Sequence, residues 1–149
     1  MREILFRAKR KATNEWVYGY FVNEYDDSQI YVQPQIITRS GREYVNENTL
    51  GQFIGLTDKN GVKIFEGDIL QSDEYPYCSD GEYNYYAEVV WFDNGCCNFG
   101  LWTHKNPKST VRGISDGNSV WFFDSNNWSV VGNIHDNPEL IGGEQNENN

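Results

Sequence analysis

Two Asn-Gly steps, Asn60-Gly61 and Asn94-Gly95, each sit between short runs of aromatic and β-branched residues. Asn-Gly supplies the positive φ values of a tight hairpin turn. Nowhere do ten or more residues keep an apolar period of 3.6. The chain is therefore expected to fold as short strands without long helices. The strand-like runs are 4–6, 16–22, 30–32, 36–37, 52–56, 62–65, 69–71, 85–92, 96–102, 120–123 and 128–132. Polar residues 7–15 read as the connection of an N-terminal hairpin, and Pro34 as an edge or a bend. Residues 46–49 and 137–141 read as single helical turns, the second with Asn137 as N-cap before Pro138. In 85–92, Tyr85, Ala87, Val89 and Trp91 share one face and Tyr86, Glu88, Val90 and Phe92 the other. Both faces are largely apolar, which predicts a strand buried on both sides or set against another subunit. The pattern as a whole predicts a mainly β domain over 1–142, a small barrel-containing fold of SH3-like or sandwich-like type with only short helical turns. The apolar-free end of the chain, within 143–149, is expected to be a disordered tail.

Composition narrows the class. A chain of 149 residues buries roughly 68–70% of its unfolded surface, enough for a core without disulfides or metals. Aromatics make up 15% of it, too many for a disordered acidic segment. No apolar run approaches the ~18 residues of a membrane span. Arg2, Arg7, Lys9, Arg10 and Lys11 fall where an export signal would carry its apolar stretch, so export is not expected and a cytoplasmic location is. Cys78 and the adjacent pair Cys96 and Cys97 do not make a disulfide framework, and reduced thiols are expected.

The formal charge of −10 is unevenly distributed. Residues 1–72 hold nine bases and ten acids, whereas 73–149 hold three and twelve. Six acids and no base lie between Asp73 and Asp93. This balance repels nucleic acid at long range.

A longer pattern runs from Gly51 through Phe53-Ile54-Gly55-Leu56-Thr57-Asp58-Lys59-Asn60-Gly61 to Phe65-Glu66-Gly67-Asp68-Ile69. With it go Arg2 to Arg7 followed by Trp16-Val17-Tyr18-Gly19-Tyr20, then Val89-Val90-Trp91-Phe92-Asp93, and Val130-Val131-Gly132-Asn133-Ile134-His135-Asp136-Asn137-Pro138-Glu139-Leu140. In these four blocks, which run nearly end to end, the chain resembles the YopX family of phage and prophage proteins. The resemblance implies an accessory protein of temperate phages that assembles into oligomers, and it brings no catalytic residues with it. Read physically, Gly55, Asp58, Gly61, Glu66, Gly67, Asp68, Gly132, Asn137 and Pro138 form a turn signature. Its glycines allow positive φ or close approach, and its Asp58 accepts backbone N–H groups across a turn.

Other constellations carry weaker chemistry. Asp58, Glu66 and Asp68 could hold Mg²⁺ or Ca²⁺ for a metal-dependent hydrolase, yet they lack a calcium-loop spacing and flank glycine turns. Cys78, Cys96, Cys97 and His104 lack the C-x-x-C of a zinc site. There is no Gly-x-Ser-x-Gly elbow, and Gly51-x-x-x-Gly55 lacks the lysine of a phosphate loop. No cofactor or metal is expected. Arg2, Arg7, Lys9, Arg10 and Lys11, beside Phe6, Trp16, Tyr18 and Tyr20, offer a nucleic-acid-binding alternative that the net charge disfavours. Trp102, Trp121 or Trp128 could stack on a sugar. The expected function is a non-enzymatic, homo-oligomeric interaction module without membrane association. Its expected partner is a host or phage protein, met at Asp73, Glu74, Tyr75, Tyr77, Asp80 and Glu82 in the acidic, aromatic stretch 72–84.

Overall fold

The computed structural model describes residues 1–25, 27, 32–93, 95 and 97–143. The expectations for Ile30 and Tyr31 in the 30–32 strand, for Asn94 and Cys96, and for the 143–149 tail beyond Gly143, lie outside these residues. The sequence reads as one domain, and the backbone contacts group into two compact units, 1–55 and 56–148.

The first unit is built from β1 (Phe6–Arg10), β2 (Trp16–Tyr25), β3 (Val32–Thr38) and most of β4 (Gly41–Thr57). Each neighbour is antiparallel, and β1 pairs on both edges, with β2 and with β4. Alternation puts Ala8, Val17, Ile36 and Val45 into a common core, with Phe6, Phe21 and Leu50 packed against it. The β3–β4 ladder runs only from Gln35 to Thr38. Pro34, opposite Asn23 of β2, thus sits where its missing N–H costs no bond to β4.

Two expectations fail here. The first strand includes Arg7, Lys9 and Arg10, which the sequence had suggested as connection. Residues 46–49 are not a helical turn but part of the continuous β4. Arg7 pairs with Gly51 and Lys9 with Asn46, so five residues of β4 advance opposite two of β1. The excess is taken up by local bonds that imitate a helix start. Asn46 Oδ1 accepts the Asn48 N–H at 3.1 Å, and the Thr49 hydroxyl donates to Asn46 O at 2.6 Å while accepting the Lys9 N–H at 2.8 Å.

The second unit contains β5 (Lys63–Phe65), β6 (Asp68–Gln71), the two-residue β7 (Cys78–Ser79) and β8 (Glu82–Tyr83), β9 (Tyr85–Phe92), β10 (Asn98–Lys105), β11 (Asn118–Val120) and β12 (Ser129–Asn133). Its main antiparallel sheet has the order β11-β10-β9-β6-β12. Tyr85, Ala87 and Val89 are buried, whereas Tyr86, Val90 and Phe92 on the other face of β9 are half-buried. The strand expected over 120–123 ends at Val120, leaving Trp121 to Phe123 beyond it. Helical structure among the described residues is limited to 3₁₀ turns at Ser125–Asn127 and Pro138–Ile141.

The turn signature behaves as punctuation. Gly55, Gly61 and Gly67 have φ of 92°, 81° and 85°. Asp68, 1% exposed, accepts the Phe65 N–H at 2.8 Å and closes the corner on which Glu66 sits half-buried. Asn137 precedes the 3₁₀ turn but does not cap it with its side chain. Its Oδ1 instead accepts the N–H of Asn133, at 3.2 Å. A Cβ on Gly132 would lie 2.5 Å from that oxygen, so the glycine is required for close approach.

Asp58 is 3% exposed. Its Oδ1 accepts the N–H groups of Asn60 (2.8 Å) and Val62 (2.9 Å), and its Oδ2 that of Val130 (2.9 Å). Burial pushes its carboxyl up, but the N–H groups of Val130, Val62 and Asn60, with the Lys59 charge, together hold it below its ordinary value. Asparagine at this position would set an NH₂ against backbone donors. Asp58→Asn should therefore cost about 1.5–3 kcal/mol at pH 7. A carboxyl held low contributes fully above its ordinary pKa and loses that contribution as pH falls. Urea titrations should show the gap to the unsubstituted protein closing below about pH 4.

Candidate protein-interaction site

The acidic, aromatic stretch 72–84 joins β6 to β9 and is tied down along its length. At its start, Asp73 accepts from the Tyr83 hydroxyl at 2.5 Å and from Lys59 Nζ at 3.0 Å. The N–H groups of Tyr77 and Cys78 both reach Glu74 O, and the Tyr75–Pro76 peptide is cis. Tyr77 packs on Trp128, ring centroids 4.6 Å apart, and meets Tyr85 edge-on at 6.5 Å. Burial, then the Glu74 charge, pushes the Tyr77 phenol up. Asp80 and Gly81, with φ of 51° and 80°, form the tight turn between β7 and β8.

At its end stands Asn84, 3% exposed. Its Nδ2 donates to Pro76 O at 3.2 Å and to Ser79 Oγ at 2.8 Å, and its N–H to Tyr77 O at 2.7 Å. The neighbouring loop is locked on by Asn106, whose N–H reaches Asn84 O and whose Nδ2 reaches Tyr83 O. Glu82 accepts the Thr110 N–H at 2.6 Å, then its hydroxyl, which lowers its carboxyl from the ordinary value. Sequence reasoning missed Asn84 and Asn106, because asparagine in a polar stretch reads only as turn. Of the six expected partner residues, Asp73, Tyr77 and Glu82 build the loop, while Glu74, Tyr75 and Asp80 are exposed on it. Tyr75 is 84% exposed.

The five N-terminal bases do not form one surface. Arg7 and Lys9 are 6% and 7% exposed and lie against Trp16, 4.6 and 5.4 Å from its ring centre. Arg10 pairs with Glu15 at 3.1 Å and Glu43 at 3.2 Å, which leaves Arg2 and Lys11 exposed. A groove of about 490 Å³ lies beside Arg10, Lys11, Gln33, Pro34, Glu43 and Tyr44, and its guanidinium is already neutralised by those carboxylates. Asp58 and Asp68 face backbone donors rather than each other. Among the described residues, no three His, Cys, Asp or Glu side chains gather as a ligand set. Cys78 and Cys97 are free thiols. Trp128 is buried in the core and offers no face to a sugar, whereas Trp102 is 36% exposed and Trp121 half-buried. No helix among the described residues is long and apolar enough to cross a membrane.

This architecture defines an antiparallel, mainly β protein. A family described as "YopX protein" matches residues 5–142, and the chain belongs to the YopX family. It is similar to the crystal structure of protein EF1440 from Enterococcus faecalis, with 24% identity and a TM-score of 0.52 over 95% of this chain and 99% of that one. That likeness concerns the fold. No curated protein matches the chain.

The Asp73–Tyr83 bond reports on the integrity of the loop. It is the foremost cause, ahead of burial, of a Tyr83 phenol pushed up to about 12, and with Lys59 it lowers the Asp73 carboxyl. A phenol held high favours folding fully below the ordinary value near 10 and loses that contribution as pH rises toward the folded value. Asp73→Asn should bring Tyr83 down toward about 10. The check is an ultraviolet difference titration of phenolate absorbance, with Tyr83→Phe identifying the residue.

Proposed function

We propose that this chain is a non-enzymatic phage or prophage accessory protein that works in the bacterial cytoplasm as an oligomeric protein-interaction module. It presents Glu74, Tyr75 and Asp80 to a host or phage protein with a basic surface. The observation that carries the reading is a loop pinned at both ends with one aromatic ring, Tyr75, 84% exposed between acids. Preorganisation of this kind lowers the ordering cost of binding. Such a ring buries a large apolar area for few rotatable bonds. Acids around it steer a basic partner into register. Burial of Arg7 and Lys9 weighs against the nucleic-acid alternative, since a desolvated cation is not available to phosphate. The β1 strand paired on both edges supports a small barrel in the first unit. The half-buried outer face of β9 supports self-association.

Capture from phage-induced host lysate tests the loop. The chain should retain a basic protein that a Glu74→Gln, Tyr75→Ala, Asp80→Asn variant releases, and equal retention by both removes the loop from the reading. Light scattering at micromolar concentration should show an oligomer, and a monomer ends that half of the proposal.

A further inference from the structure

The end of β9 farthest from the 72–84 loop is coated with rings. Phe92 stacks on Trp121 at 4.6 Å and 27°, on the face of β9 opposite that of Trp91, which packs edge-on against Phe99 at 4.8 Å. Trp91 is 47% exposed, and Phe122, next in sequence to the stacked Trp121, is 88% exposed. Asn98 lies across the ladder from Phe92. Its Nδ2 donates to the carbonyls of Phe99 and Trp121, each at 3.0 Å, which fixes the amide orientation. The amide oxygen itself is buried and has no hydrogen-bond partner.

The segments that carry these side chains have no positive charge. Residues 64–104 and 113–149, which contain every one of these side chains, include no lysine or arginine. Asp93 follows Phe92 directly and Asp124 lies two residues past Phe122, both exposed.

We infer that this aromatic end of the second sheet is a docking site for an arginine-bearing segment of a partner protein. A guanidinium presents a flat cation to the ring faces and five N–H donors to surrounding acceptors. Here those acceptors are the exposed carboxylates of Asp93 and Asp124. A neutral saccharide would use the rings but would gain nothing from the surplus of carboxylates. The site is separate from the 72–84 loop, since the eight residues of β9 put roughly 23 Å between its ends. It therefore stands or falls independently of that loop.

The probe is the capped peptide Gly-Arg-Gly-Arg-Gly, titrated against the full chain by tryptophan fluorescence at 150 mM salt, where the Debye length is about 8 Å and long-range attraction is screened. Saturable binding is expected, weakened about two- to fivefold by Phe122→Ala and further by adding Asp124→Asn. Glu74→Gln with Asp80→Asn should leave it unchanged. Phe122 is too exposed for its removal to unfold the sheet, and Asn at 124 keeps an acceptor for the Asn126 N–H. Absence of binding overturns the proposal, as does equal binding of the citrulline analogue or indifference to Phe122→Ala. Weakening only by the Glu74/Asp80 changes would move the arginine site to the loop, and saturable binding of cellohexaose in place of the peptide would replace it with a sugar site.

Discussion

One buried carboxylate holds together parts of the second unit that are far apart in sequence. Asp58 has three backbone donors, two from its own turn and one from Val130, 72 positions away. The adjacent Lys59 N–H reaches Trp128 O at 3.0 Å. Together these bonds fix the start of β12 against the 58–62 turn and set Trp128 in the core. Tyr77 packs on Trp128, and the position of Tyr77 determines how the rest of 72–84 lies. The exposed Tyr75 thus inherits its placement from an aspartate buried in the 58–62 turn. A charged acceptor is effective in this role because each N–H···O⁻ bond is stronger than a neutral one, while the same carboxylate left unsatisfied would be costly to bury.

Much of the fold could be read from the sequence, because alternation and turn chemistry are local signals. The 85–92 strand, the Asn60-Gly61 turn and the single turn after Asn137 are where the residues put them. What could not be read depends on partners distant in the chain. Asn46 and Thr49 carry the signature of a helix start, yet the same side chains serve a register slip against Lys9. Arg7 and Lys9 look like a cationic surface until Trp16, supplied by the facing strand, covers them. At the candidate site the acidic and aromatic composition of 72–84 was evident. The division between residues that build the loop and those exposed on it was not, because it rests on Lys59, Asn84, Asn106 and Thr110. The small hairpin at Asp80-Gly81 did have a signal, an Asp-Gly step equivalent to Asn-Gly.

The charge of the chain follows its architecture. Residues 1–55 carry seven bases and seven acids, and 56–148 carry five and fifteen. In the first unit much of the positive charge is already engaged, with Arg7 and Lys9 against Trp16, Arg10 between Glu15 and Glu43, and Arg42 on Glu24. In the second the surplus is negative and largely exposed. Any partner drawn by electrostatics is therefore drawn to the second unit, and its on-rate will fall with added salt.

The absence of lysine and arginine from 64–104 also determines which chemical tools can see this protein. Trypsin has no cleavage site between Lys63 and Lys105, so all of β6 through β10 leaves a digest as one long peptide. Amine-reactive cross-linkers find no anchor on those strands before Lys105, the last residue of β10. A partner seated on the second sheet away from Lys105 would pass unseen in a lysine-based interaction map, whereas carboxylate-directed coupling, or cleavage after aromatic residues, would reach it.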